Sequence, residues 1–523
     1  MRLSEYASTQ RTYGSRKVPR SVQQSIPIDR IYEDGTWRCG NVYSQMWSMP
    51  DINFTMSDED NKAKILNLLG KVYMGVPSDC WLKICIVSQR MDEKSFRENV
   101  LLHRNLDGLD KWRVERNRRN RQCVQDAGNV VQHKYLILST NKQNVTDARS
   151  RLRQVQGNLL AELSNLGCTI KPMTNNDRLE VLHNFFRRGE EGRFQFSFED
   201  YGKLGNDFRN TIAPDAMRFT TQHAEIDDGF AKAMTIAQYP QQLNDKFVAT
   251  LLQQVPYIVL SIDITPVETE DALREIDASQ MKIDSEKFRA NRRNVENLDF
   301  MATISPRNQQ QEKYTSAIRN AINEEDQQVF MVLLSVAYFA DTLEEIKQET
   351  DALQSAAANF NCRFTEMRFQ QENCFNTAMP YGLRRVESSH MMLTRSVTAL
   401  VPFVAQEVQS PQGIFYGRNA IPGNLIVGDR TKLINGNAMV IATSGSGKSM
   451  SVKMEILMEY LRWPNARFIL VDPENEYELL VKALGGEAIK VSVDSQTHFN
   501  PLDYHYDPKT DVPPDVAKIE FVL

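Results

Sequence analysis

The chain has 523 residues, 41% of them hydrophobic and 25% charged, with a formal net charge of -5. At ~100–200 residues per domain, that length predicts two to four domains. The composition excludes a low-complexity or fibrous chain, and the slight acidity excludes a generally basic nucleic-acid coat.

Residues 1–25 are polar and mildly basic and lack an apolar core, so they read as a flexible tail and not a secretory signal. The stretch "RIYEDGTWRCGNVYSQMW" is strand-like, with a turn at Asp34-Gly35. "SDEDNKAKILNLLGKVY" predicts a helix capped by Ser57 with acids in its first turn. "WLKICIVSQR" alternates apolar and polar residues, as a half-buried strand does. "DKWRVERNRRNRQ", Asp110 to Gln122, carries six basic residues and reads as a solvated helix face in preference to a nucleic-acid or lipid contact. Seven cysteines (39, 80, 85, 123, 168, 362 and 374) show no CxxC spacing. They predict reduced, buried thiols, not a zinc site.

One pattern occurs twice. "KYLILST" leads through a helical "NKQNVTDARSRLRQVQGNLLAELSNLG" to "CTIKPM", and "QVFMVLLSVAYFA" leads through "DTLEEIKQETDALQSAAANFN" to "CRFTEMRF". In both, a turn at Gly167 or Asn361 is followed by a cysteine that opens the returning strand. The repetition predicts two related α+β lobes within residues 26–400, sheets with helices packed on one face. "PYIVLSIDITPV" adds a strand, and Glu268 to Asn297 reads as a long exposed helix. The longest apolar run, Val329 to Ala340, is too short to span a bilayer. Any membrane association is therefore expected to be peripheral.

From about residue 401 the texture changes. "GIFYGRNAIPGNLIVGDR" reads as a hairpin, and "AMVIAT", Ala438 to Thr443, as a central strand. "SGSG" follows, and then "KSMSVKMEILMEYLRW" with apolar residues at helical spacing. Strand, glycine-rich turn and helix in this order are the context of a Walker A loop. Residues Thr443, Ser444, Gly445, Ser446, Gly447, Lys448, Ser449 and Met450 form the candidate nucleotide site. The two glycines let backbone N–H groups converge on phosphate oxygens, and the helix N-terminus adds its positive end. Lys448 would reach the β and γ phosphates of ATP, and Ser449 would ligate Mg²⁺. Ala442 stands where the consensus opens with glycine. Further on, "ARFILVDPENEY" is a strand ending at Asp472. Asp472 reads as a helix cap with Pro473 at the first position, and the alternative is that Asp472 or Glu476 faces the nucleotide. His498 has no second ligand near it in sequence.

"FYGRNAIPGNLIV", "NGNAMVIATSGSGKSMSVKMEI", "ILVDPENEYELLVKALGGEAIKVS" and "HFNPLD" together resemble the VirB-four/TraC-type ATPases of conjugative type IV secretion systems. "KVPRSVQQSIPIDRIYEDGTWRCGNVYSQMWSMPDINF" resembles the N-terminal region of the branch on Gram-positive integrative elements. The resemblance implies a RecA-like P-loop NTPase at 401–523, preceded by a domain that docks on membrane proteins of the secretion channel. It further implies a hexamer or dimer at the inner face of the cell membrane, driving channel assembly and DNA or protein transfer, with transient DNA contact. The Walker B strand, its glutamate and the arginine finger of such motors lie downstream of the loop and are not found after Ser449. The expectation is thus a truncated motor that binds MgATP, with the catalytic residues unassigned. A non-hydrolysing scaffold and a generic FtsK–HerA-like DNA translocase are the alternatives.

Overall fold

The computed structural model describes residues 19–491 except 20, 56, 91–92, 126–129, 191–192, 200, 202–206, 241, 275, 279, 282–284, 286–318, 323–326, 406–407, 409, 411, 420–423 and 434. Most of the N-terminal tail, most of the charged stretch after Asp284, and His498 lie outside the described residues. Contacts divide the chain into two compact units. The first comprises residues up to Leu101 with Arg118–Asp429, and the second Leu102–Asn117 with Arg430 onward.

The first unit is built on a thirteen-stranded sheet in which every pairing is antiparallel. Its first half runs β1 (Arg30–Ile31), β2 (Trp37–Cys39), β3 (Val42–Met49), helix α1 (Glu59–Met74), β4 (Cys80–Arg90), helix α2 (Asp110–Gln125, of which the residues up to Asn117 count with the second unit), β5 (Val130–Asn141), helix α3 (Val145–Asn165), β6 (Lys171–Pro172) and helix α4 (Asn175–Phe186). The second runs β7 (Met217–Phe219), β8 (Ala224–Ile226), β9 (Gly229–Gln238), helix α5 (Phe247–Leu252), β10 (Ile258–Pro266), β11 (Val329–Ala340), helix α6 (Leu343–Ala358), β12 (Arg363–Glu366), helix α7 (Gln371–Ala378) and β13 (His390–Leu393).

The halves repeat one topology. In the first, β6 and β5 flank β3, and β4 lies beyond β5. In the second, β12 and β11 flank β9, and β10 lies beyond β11. Each is a split β-α-β unit of the ferredoxin-like kind, whose returning strand runs parallel to the first with one strand between them. The two meet where β4 pairs with β10. The helix exits match as well. Gly167 and Asn361 adopt positive φ, and the amides of Cys168 and Cys362 bond back to Leu163 and Ala357, both at 2.9 Å. This is the Schellman closure, which a left-handed residue makes available. The two predicted lobes are therefore present, fused through one continuous sheet.

Helices cover both faces, not one. Side chains of α1, α3, α5 and α6 join one apolar cluster, while α4 and α7 join a second that uses the alternate residues of the same strands. Strand β4 is consequently not half-buried, since every residue from Cys80 to Ser88 is buried. On the second face the segment Thr377–Gly382 crosses the strands. Its carbonyls accept hydrogen bonds from Lys83, Ser261, Ser44 and Trp81, which gives these four buried donors of the central strands a partner within the core. Of the cysteines, all are free and six are buried, while Cys123 is exposed. The first long helix is capped by Asp58, whose carboxylate accepts from the amide of Asn61, one residue beyond the expected Ser57.

The hairpin β14 (Ile414–Arg418) and β15 (Leu425–Gly428) forms as expected. Its Phe415, Leu425 and Val427 pack with Val100 and Val131, and Asn424 accepts from the amide of Gln132. It belongs to the first unit, which runs past the boundary expected at 401 to Asp429.

Candidate functional site

The second unit contains helix α8 (Lys448–Arg462) and helix α9 (Glu478–Ala483). The segments expected as its strands, Ala438–Thr443, Phe468–Asp472 and the run beginning at Ala488, carry no strand pairing at their described positions. Apolar side chains in them are open to solvent: Ile441 is 83% exposed, Ile469 92% and Val471 89%. A strand is defined by its ladder partner, and among the described residues none of these runs has one.

The loop between the first of these segments and α8 has a definite geometry. The amide and hydroxyl of Ser446 both donate to the carbonyl of Thr443, at 3.2 and 2.7 Å, closing a turn over Ser444 and Gly445. Gly445 sits at φ +76° and Gly447 at φ +93°, left-handed conformations that cost a residue with a Cβ roughly 1–2 kcal/mol. Gly447 is the N-cap of α8, and no side chain caps the helix there. The first amides of that turn therefore point out of the helix end with no capping side chain, which is the arrangement that receives anions. Lys448 opens the helix and is exposed, Ser449 is half-buried beside it, and Met450 is 65% exposed. Thr443 to Met450 thus run through one turn into the start of α8, all exposed except the half-buried Ser449. Added Cβ atoms at Gly445 or Gly447 would meet nothing within 4 Å, so the glycines answer to backbone conformation and not to crowding.

Helix α8 is fixed along its length. Arg430 pairs with Glu455. Lys453 lies 4.0 Å from the Glu476 carboxylate and 5.3 Å from the centre of the Tyr477 ring. At the far end, Arg113 donates its Nε–H to the carbonyl of Leu461 at 3.1 Å. This arginine is wholly buried and pairs with Asp107 at 2.6 Å and Asp110 at 2.7 Å. The basic run is helical, as expected, but Arg113 within it is an internal anchor and not part of a solvated face. Two acids three and six residues ahead of it were the available signal.

Asp472 accepts the amide of Tyr477 at 2.8 Å and, through its carbonyl, that of Asn475 at 3.4 Å. The Tyr477 N–H foremost holds its carboxyl below the usual range. The residue closes a turn, with Asn475 left-handed, and does not cap the helix. Helix α9 begins at Glu478, so Pro473 lies outside it. An open cleft of about 300 Å³ is lined by Ile456, Tyr460, Phe468, Tyr477 and Ile489. Ile456 and Tyr460 stand eight and twelve residues past Lys448, ~12 and ~18 Å along the axis at ~1.5 Å per residue, so this cleft is separate from the loop. No group of His, Cys, Asp and Glu able to hold a metal occurs among the described residues. A loop Mg²⁺ would depend on Ser449 and the nucleotide's own oxygens.

No helix among the described residues is long and apolar enough to cross a membrane. No family model matches the chain. It is similar to an uncharacterized protein of Bacillus anthracis, 19% identical over 298 residues, which cover 55% of this chain and 44% of that protein. The chain thus matches less than half the length of this relative.

Proposed function

We propose that the chain is the ATP-binding part of a conjugative transfer motor, taking MgATP at Thr443–Met450 on a RecA-like core. The observation that carries this reading is the pair of left-handed glycines placed directly ahead of a helix that opens with Lys448. Such a loop presents backbone donors and a mobile cation to a polyphosphate. In this reading the sheet domain docks on the membrane proteins of a secretion channel, the chain self-associates as a hexamer or dimer at the inner membrane face, and DNA is contacted transiently. The motif order supports it, because the flanking stretches are more specific than the loop alone.

A second reading, a scaffold that binds nucleotide without turnover, is favoured by one observation: the carboxylate of Asp472 is occupied by the Tyr477 amide. Both readings share the nucleotide site. The test is the thermal midpoint with and without MgATP for the wild type and Lys448→Ala. Stabilisation of the wild type that the variant loses is the expected result. Equal stabilisation of both would remove the loop from the nucleotide site.

A further inference from the structure

We propose that the loop and helix around Leu106–Val114 form a docking surface for an anionic lipid bilayer. The case begins with an unusual leucine. Leu106 is 94% exposed and sits at φ +58°, a conformation that a bulky side chain adopts only under constraint. The constraint is visible. The Asp110 carboxylate accepts the amides of Asn105 at 3.1 Å and Leu106 at 3.0 Å, and the buried Arg113 holds both Asp107 and Asp110. The loop is therefore pinned from beneath while its apolar tip is held out in water.

The same pins set the charge of the surface. Both acids of the loop are drawn to Arg113, while His103, Arg104 and Lys111 are exposed. Trp112 is 39% exposed with the Lys111 ammonium 5.4 Å from its ring centre, and Val114 is 43% exposed. Spacing of ~3.6 residues per turn places Lys111 and Val114 on one side of the helix, away from the buried Arg113.

A protruding leucine, an interfacial tryptophan and a cationic flank are the parts of a surface that inserts an apolar tip among headgroups while basic side chains meet lipid phosphates. A nucleic acid would use the cations but gains little from Leu106, and the single tryptophan is already approached by Lys111. The lipid surface is the better complement. This gives the membrane association proposed above a specific face, and it stands apart from the nucleotide loop.

The full chain, without nucleotide, is floated with phosphatidylcholine vesicles and with vesicles containing roughly one-third phosphatidylglycerol. Retention on the anionic vesicles alone is expected. Leu106→Gly suits the positive φ and so preserves the fold while removing the apolar tip. It should weaken binding on the order of tenfold. Lys111→Glu should weaken it at least about fivefold and make what binding remains less sensitive to salt. Thermal stabilisation by MgATP, measured on the same proteins, should be unchanged in both variants. Equal retention on neutral vesicles, or variants that bind as the wild type does, would overturn the proposal. So would a finding that the chain ignores both vesicles but binds duplex DNA in a Lys111-dependent manner.

Discussion

Lys83 and Asp263 face each other across the β4–β10 joint, with Nζ and Oδ2 2.9 Å apart and neither side chain more than 1% exposed. The pair sits where the two halves of the sheet meet. Lys83 also donates to the carbonyl of Thr377. Nearby, the buried Arg384 stacks 4.4 Å from the centre of the Trp81 ring and bonds to Thr265. Asp263→Ala would leave Lys83 buried without its counter-charge, a change worth about 3–5 kcal/mol. Replacing both partners with apolar residues should recover part of that loss, since desolvation of the lysine is then removed. Urea midpoints of the two single variants and the double variant measure this directly. A double variant less stable than either single one would contradict it.

The two left-handed glycines of the loop allow a separation of strain from packing. Gly447→Ala meets no neighbouring atom and so introduces backbone strain alone, about 1–2 kcal/mol confined to the start of α8. MgATP stabilisation should fall sharply while the sheet unit melts unchanged. Gly157, inside α3 and equally uncrowded, is the control. There Gly157→Ala should raise stability by roughly 0.5–1 kcal/mol through better helix propensity. A thermal melt of each variant, with and without MgATP, distinguishes the cases.

The sequence revealed the duplicated plan because its marks are local: a strand, a helix, a left-handed residue and then Cys168 or Cys362. What it hid depends on partners far along the chain. The alternation in "WLKICIVSQR" looks half-solvated until Asp263 is placed opposite Lys83, about 180 residues away. The basic run reads as uniformly solvated because the mark of Arg113, the acids Asp107 and Asp110 ahead of it, singles that arginine out as the inward one only once Leu461 is placed against it. The turn that leads into α8 is legible because its glycines, lysine and helix are contiguous. The expected strands beside it rest on apolar content alone, which reports a tendency to be buried and not the presence of a ladder partner.

Glu349 supplies a pH dependence. Burial first, and then the repulsion of Glu345 and Asp341 against the attraction of Arg188, pushes its carboxyl up to about 7. Its Oε2 is buried without a hydrogen-bond partner. A carboxyl raised in the folded state binds its proton more tightly there than in the unfolded chain, where the ordinary value is ~4.3. Its contribution is therefore complete below about pH 4 and is lost as pH rises through about 7. Because the group is half-buried, solvent screening reduces the effect to on the order of 1 kcal/mol. Glu349→Gln should be more stable than the wild type at pH 8 and nearly equal at pH 5. Denaturant titrations at the two pH values decide it, and an equal gap at both would assign the difference to packing.

The role of Asp472 separates the two proposed readings. Its Oδ2 takes the Tyr477 amide, and that bond shapes the turn whose Glu476 and Tyr477 meet Lys453 on α8. Asn at this position retains a side-chain carbonyl for the amide but has no charge, so Asp472→Asn should keep the turn, the melting behaviour and MgATP binding. If the carboxylate only shapes the turn, phosphate release by the chain is low and the variant does not change it. A carboxylate that oriented an attacking water would behave otherwise. Removing its charge would abolish Lys448-dependent phosphate release while leaving nucleotide affinity within about twofold, because positioning acts on the transition state and not on ground-state binding. Phosphate release and nucleotide affinity measured for the wild type, Lys448→Ala and Asp472→Asn therefore give a two-way outcome. Release that is robust, dependent on Lys448 and lost in Asp472→Asn would overturn the scaffold reading and place Asp472 in the hydrolytic site. Release that is low in all three, with affinity lost only in Lys448→Ala, would leave Asp472 as the clasp of a turn and the loop as a binding site alone.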